Sequence, residues 1–253
     1  MSPKKRLPVG RRATAAHVKE IRRIIRKNRE AIAAHSKWLR ALSASSNWND
    51  HRSYDEITGL WRNAKIGIIN RLIRRGKNNR GKLHIWEDGP GRGYFGGILK
   101  EELDVVGIRT HLVATTLDAK SIDPYEKKLF DEVHAGKSEL FVPRKPFDFI
   151  FSTIGSVNYM HSSLRKQHIL KMAYSLAHGG QMFVSFYHRP LAQENERRKA
   201  VVGSLLQKPP KKSMHTTEEM AAIEKAFAKR GFTAKFHYLD PEASIVGLHV
   251  VRK

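Results

Sequence analysis

The chain contains no cysteine. That absence removes disulfides, cysteine-ligated zinc, iron–sulfur clusters and thiol nucleophiles together, including the cysteine chemistry of pyrimidine C5-methylation. It agrees with a cytoplasmic compartment, with the mitochondrial matrix as the alternative. Long apolar runs are missing too: nothing approaches the roughly 20 residues needed to span a bilayer, so no membrane partner is expected. The opening MSPKKRLPVGRR is basic with no apolar segment behind it, so it does not read as a secretory signal. A basic RNA-binding tail and a mitochondrial transit peptide both have this composition. The thirteen histidines show no two-ligand helical spacing beside a carboxylate, and no metal is expected.

Acidic residues are scarce, and unevenly so. Across 253 residues, 47 Lys and Arg stand against 24 Asp and Glu, a formal net charge of +23. The first 80 residues hold 21 of those basic residues and five of the acids, a net +16, with no acid before Glu20. Solubility alone rarely calls for so one-sided a field. Neutralising phosphates releases condensed counterions, so the excess points to a polyanionic partner, RNA in the first instance.

With 40% hydrophobic residues the chain can bury a real core. Three segments follow from its patterning: a basic flexible tail over 1–13, a basic helical extension over 14–80, and an α/β domain over 81–253. Thr14 caps a helix expected to run to about Leu42, with Val18, Ile21, Ile25, Ile32, Leu39 and Leu42 on one face and Arg22, Arg23, Arg26, Lys27 and Arg29 on the other. Ser53 and Glu56 form a capping box for a second helix that buries Ile57, Leu60, Trp61, Ala64, Ile68, Leu72 and Ile73. It ends in the cations Arg71, Arg74 and Arg75 before Gly76, the chemistry of a helix C-terminus. Both apolar stripes are expected to dock on the following domain and leave the cationic faces outward as the main phosphate-contacting surface.

From Lys82 the pattern alternates. Strands are expected near 83–87, 110–116, 147–152, 180–187, 233–238 and 244–251, and helices near 94–104, 122–134, 162–177, 191–207 and 217–230; a further strand near 139–142 is weakly marked. Such alternation builds a mostly parallel sheet covered on both faces. The last two strands are joined by only Leu239–Ala243, too short for a parallel crossover, so they pair antiparallel. Lys208-Pro209-Pro210-Lys211-Lys212 reads as a stiff basic loop.

The most informative segment is LHIWEDGPGRGYFGG, in which an apolar strand ends at Glu87 and Gly89, Gly91 and Gly93 alternate before a helix. Alternating glycines let a backbone turn sharply and approach a ligand closely. Gly91, Gly93 and Gly96 also satisfy G-x-G-x-x-G, a dinucleotide fingerprint that is weak alone. Glu87 separates the two: beside the loop a carboxylate repels a pyrophosphate and attracts an ammonium. A phosphate-binding P-loop at Gly136-Lys137-Ser138 is excluded because position 131 is Asp, not Gly.

On these residues the chain resembles the class I S-adenosylmethionine-dependent methyltransferases over roughly 80–253. Glu87-Asp88-Gly89-Pro90-Gly91-Arg92-Gly93 matches the family's E-x-G-x-G-x-G loop, and Phe147–Ser152 its fourth strand. Leu176–Val184 is similar to its L-x-x-G-G turn into strand five, and Ala228–Phe232 to the turn before strand six. The resemblance implies an α/β fold: a seven-stranded, mostly parallel sheet with an antiparallel last strand, helices on both faces and an N-terminal helical extension. It implies S-adenosylmethionine as cofactor, held by Glu87, Gly89, Gly91, Gly93, Asp118 and Ser152. Asp118 would accept from the ribose hydroxyls; a surface acid in a loop is the other reading. Two positions depart from the pattern: Lys137 or Ser138 stands where an acid usually lies near the adenine, and Asp88 replaces an apolar residue.

No catalytic residue is assigned. The run after strand four, Ser152–Tyr159, lacks the N/D-P-P-Y/F tetrad of exocyclic-amine methylation, and no lysine–aspartate–lysine–glutamate set for ribose methylation is found. Asn158, Tyr159, His161, Tyr187 and His188 fall where substrate would approach, although the polarity of a surface loop accounts for them and is the preferred reading. The expectation is a methyltransferase acting on ribosomal or other structured RNA, through Arg22, Arg23, Arg26, Lys27, Arg29, Arg71, Arg74 and Arg75. The rivals are an inactive methyltransferase-like protein that binds RNA or the ribosome, and a small-molecule or protein methyltransferase.

Overall fold

The computed structural model describes residues 15–30, 54–80, 82–153, 157, 160, 162–187, 217–240 and 245–253. The described elements run in the order α1 (Ala15–Lys27), α2 (Tyr54–Asn63), α3 (Ile68–Asn78), β1 (Lys82–Asp88), α4 (Tyr94–Val105), β2 (Arg109–Thr116), α5 (Pro124–Lys127), β3 (Glu132–Ala135), a 3-10 turn (Ser138–Leu140), β4 (Phe147–Ser152), α6 (Ser162–Tyr174), β5 (Leu176–Tyr187), α7 (Thr217–Ala228), β6 (Phe232–Asp240) and β7 (Ile245–Arg252). Seven strands form one sheet in the order β3-β2-β1-β4-β5-β7-β6. The pairings among β1 to β5 are parallel, and β7 lies antiparallel between β5 and β6.

Two apolar layers sandwich this sheet. On one face Leu83, Ile85, Phe149 and Phe151 pack beneath α2, α3 and α4, with Trp61 of α2 edge-on to Phe95, Phe149 and Phe183 at centroid separations of 5.1 to 6.3 Å. On the other, Trp86, Ile150, Met182, Val184 and Val250 pack beneath α6 and α7. Each large apolar side chain so buried contributes about 1.5–3 kcal/mol. The strands buried on both faces read as continuous apolar runs, which is why they were visible in the sequence.

Three expectations are corrected. The helix anticipated from Ser53 to Gly76 is two helices, because Lys65 takes a left-handed conformation (φ 54°) and Ile66 and Gly67 turn the chain before α3 starts. Gly76 therefore lies inside α3, packed on Ile108, and the helix continues to Asn78. The helix anticipated over 122–134 is only α5, and the third strand occupies 132–135 rather than 139–142. β3 is a short edge strand with little buried surface, so no apolar periodicity announces it. The anticipated helix at 191–207, the loop at 208–212, Ser53 and the first helix beyond residue 30 lie outside the described residues.

The basic extension straddles the domain. α1 seats Ile21 and Ile24 against α6, on one face of the sheet, while α3 packs Ile68 and Leu72 over β1 and β4 on the other. The two cationic helices do not share a face.

Candidate cofactor site

β1 delivers Glu87 and Asp88 to the carboxyl end of the sheet, and strand alternation sends their side chains to opposite faces. The loop beyond them is set by glycine: Gly89, Gly91 and Gly93 have φ of 71°, 58° and 90°, the left-handed region that side chains rarely adopt. It is tied down by backbone hydrogen bonds, from Gly89 N–H to Thr115 O (2.9 Å), from Gly93 N–H to Pro90 O (2.8 Å) and from Asp123 N–H to Arg92 O (2.9 Å). Gly93 caps α4, so the loop leads straight into a helix N-terminus.

Glu87 is 2% exposed and lies against Gly96 in the first turn of α4, where a Cβ would overlap its Oε2. Burial raises its carboxyl well above the usual range, and nearby Glu126 and Asp88 push the same way, while the Gly96 backbone N–H opposes them. Its Oε2 and the buried hydroxyl of Ser152, at the adjacent end of β4, have no hydrogen-bond partner among the described residues. A carboxyl oxygen is thus unspent at the foot of the glycine loop, and a hydroxyl at the end of β4 on the Asp88 face of the sheet.

No protein-family model matches the sequence, and no curated protein matches it. Solved structures match the architecture. The plantazolicin methyltransferase BpumL, in complex with a monoazolic desmethylPZN analogue and SAH, is 11% identical with a TM-score of 0.54 over 92% of this chain and 99% of that one. The CMeT domain of the citrinin polyketide synthase is 15% identical with a TM-score of 0.52 over 68% and 46%. Magnesium protoporphyrin IX methyltransferase from Synechocystis PCC 6803 with bound SAH is 12% identical, with a TM-score of 0.48 over 87% and 95%. The chain has the class I methyltransferase fold.

Within this methyltransferase fold Asp88 has a partner set of its own. Thr115 Oγ1–H donates to its Oδ1 (3.1 Å), Trp86 Nε1–H donates to Thr115 (2.9 Å), and His168 Nε2 meets its Oδ2 at 3.1 Å with both side chains wholly buried. An ionised Asp88 places the proton on His168 Nε2.

His168 belongs to a set the sequence reading missed. On α6, Arg165, His168 and Lys171 recur every third residue, and none is more than 2% exposed. Arg165 donates to Val157 O (3.0 Å) and Met160 O (2.8 Å) beyond β4, and His168 holds Asp88 at the end of β1. Lys171 donates to Ser138 O and to Phe141 O (3.1 Å) beyond β3, with its ammonium 5.3 Å from the Trp86 ring. Burial lowers the Lys171 pKa to about 8, against the attraction of Asp88 and Glu139. One helix thereby pins the end of β1 and the segments that follow β3 and β4. The available signal was R-x-x-H-x-x-K on a helix whose flanking residues are core.

The other expected residues scatter. Asp118 lies two residues beyond β2, exposed, and its Oδ1 accepts from Lys120 N–H (2.9 Å). Ser121 links that loop to the glycine loop, donating to Asp118 O (2.6 Å) and reaching Gly91 O at 3.5 Å. Lys137 is half-buried and Ser138 buried just before Glu139, itself 4% exposed. Asn158, Tyr159, His161 and His188, and the side chain of Tyr187, are outside the described residues. Of the expected RNA contacts, Arg22, Arg23, Arg26, Lys27 and Arg29 on α1 and its C-terminal flank are exposed, with Arg23 bridged to Glu20 (2.6 Å), and Arg71 and Arg74 on α3 are exposed. Arg75 differs from these: its side chain is only 21% exposed, and its Nε donates to Asp148 at 2.6 Å, beside Asn79 and the His84 backbone N–H, which docks α3 onto the sheet. Among the described residues no helix is long and apolar enough to cross a membrane, and no cluster of three His, Asp or Glu is placed to hold a metal ion.

Proposed function

We propose that the protein binds S-adenosylmethionine in this crevice and transfers its methyl group to ribosomal or other structured RNA. The observation that carries the cofactor assignment is the unspent, buried Glu87 Oε2 at the foot of the glycine loop. A buried carboxylate with no cation beside it costs stability, and an amino-acid ammonium offsets that cost. The glycine backbone allows the ligand to approach without a Cβ in the way, and Asp118 lies within the adjoining loop for a ribose. When bound, the cofactor supplies a methyl on a sulfonium: the acceptor's lone pair forms the new bond, the C–S pair returns to sulfur, and the acceptor gives up its proton. Alignment supplies most of the acceleration for such an acceptor, and the α6 contacts hold the loops that set it.

RNA is favoured as acceptor by charge. The first 80 residues carry a net +16, and the α1 face of Arg22, Arg23, Arg26 and Lys27 is exposed. The plantazolicin methyltransferase, similar in fold, acts on a different acceptor; a small-molecule acceptor leaves this basic extension without a role. One observation favours a non-catalytic RNA-binding reading instead: Lys137 and Ser138 are not acids, although the buried Glu139 follows them. Calorimetric titration with S-adenosylmethionine, followed by labelled-methyl transfer to total RNA and to total protein, separates these readings. Binding with label in RNA supports the proposal. Binding without transfer favours the inactive form, and label in protein alone removes RNA as acceptor.

A further inference from the structure

α1 and α3 lie on opposite faces of the sheet, yet the C-terminal end of α3 and the middle of α1 lie toward the same edge of it. Arg75 and Asn79 of the α3 terminus reach Asp148 beside the start of β4. On the other face Glu20 of α1 lies within the field of Arg230, just past the end of α7, and Arg23 within that of Tyr174, the last residue of α6. Both points mark the edge where the parallel strands begin, opposite the glycine loop.

That edge is itself cationic. Arg80 and Lys82 enter β1, Arg144 and Lys145 precede β4, Arg230 precedes β6 and Lys253 follows β7, all exposed. Of the described acids near it, Asp148 is engaged by Arg75, Asn79 and His84 and Glu20 by Arg23, while Glu102 and Asp104 at the end of α4 stay exposed beside the start of β2. Asp131 and Glu132 lie at the far β3 end with Lys100 and His111. The half-buried His84 senses the local field. Burial lowers its pKa first, and His111, Lys145 and Lys82 lower it further against the pull of Asp148.

We infer that this edge joins the α1 and α3 faces into one continuous band that binds the phosphate backbone of a folded RNA, on the side of the sheet opposite the cofactor crevice. The inference rests on the RNA reading above and gives that RNA a location. The band crosses α1, α6, the sheet and α3, three layer spacings of roughly 10 Å each, so it suits a structured RNA better than a short single strand. Phosphate contacts of this kind position a nucleic acid without reading its sequence. The strands separate the band from the crevice by about 20 Å, so RNA grip and cofactor grip are independent.

The test uses the full chain and an RNA hairpin of about 40 nucleotides. The edge variant combines Lys82→Gln, Arg144→Gln, Lys145→Gln and Lys253→Gln; the helix variant combines Arg22→Gln, Arg23→Gln, Arg26→Gln and Arg29→Gln. If the band is continuous, each variant binds the hairpin at least about tenfold more weakly at moderate salt. Each also flattens the log–log salt slope, by up to about 0.9 for each phosphate no longer neutralised. S-adenosylmethionine affinity stays unchanged in both, and exposed positions leave thermal unfolding unchanged. An edge variant that binds like the parent while the helix variant is impaired overturns the band and leaves the RNA reading standing. A parent that binds no RNA removes both, and if that parent binds phosphatidylserine vesicles the edge is a membrane-facing surface instead.

Discussion

The carboxylate of Glu87 rests on the α-carbon of Gly96, and a methyl group at position 96 would occupy the place of Glu87 Oε2. Strand end and helix start are therefore one construction. Gly96→Ala is expected to displace Glu87 at an overpacking cost of about 1–3 kcal/mol. S-adenosylmethionine binding should fall at least about tenfold while the fold survives. Calorimetry and thermal unfolding of the same sample check both halves, and unchanged affinity would detach Glu87 from the site.

Glu87→Gln separates stability from binding. The folded pKa of Glu87 lies above its unfolded value, so its contribution is full below the unfolded pKa and is lost as pH rises through the folded one. At neutral pH the Gln variant without ligand should unfold a few degrees higher than the parent, at about 2–4 °C per kcal/mol. It should bind S-adenosylmethionine more weakly by about 1.5–3 kcal/mol, the cost of a charge-assisted contact. In the parent, affinity should rise with pH through the Glu87 pKa, with proton release visible as a buffer-dependent binding enthalpy. NAD should bind neither protein.

Asp88 and His168 are expected to act as a unit. Breaking a buried pair by removing one partner leaves the other uncompensated, at a cost of about 3–5 kcal/mol. His168→Ala and Asp88→Asn should each destabilise strongly, and the double variant by much less than their sum. A coupling energy below about 0.5 kcal/mol in denaturant unfolding would count against the pair.

Lys171→Met tests the contact beyond β3. The folded pKa of Lys171, about 8, lies below that of an unfolded lysine, so the unfolded chain binds more protons between about 8 and 10.4. The stability of the parent relative to the variant should rise with pH across that window. A pH-independent difference would mean that the Lys171 ammonium is not held buried.

Arg75→Gln is the control that distinguishes docking from RNA contact. Removing the partner of Asp148 should destabilise the protein by about 1–3 kcal/mol. RNA affinity should not change in the variant at temperatures where it remains folded. A drop in affinity comparable with that of an exposed arginine would return Arg75 to the RNA surface.

Much of this architecture was legible locally. Six strands were legible from their patterning, the glycine loop marked the cofactor side, and the short connection between β6 and β7 required antiparallel pairing. Those features depend on neighbours in sequence: side-chain periodicity, backbone freedom at glycine, and the reach of a short connection. Tertiary structure alone decided the rest. Arg75 looked like one more outward cation until the fold brought Asp148, 73 residues away, within 2.6 Å. Arg165, His168 and Lys171 carried no signal of burial of their own; the fold laid α6 across the end of β1 and the segments after β3 and β4. α1 and α3, both amphipathic and cationic, landed on opposite faces. The fate of a charge is set by distance and desolvation through space, and neither quantity exists until the chain has folded.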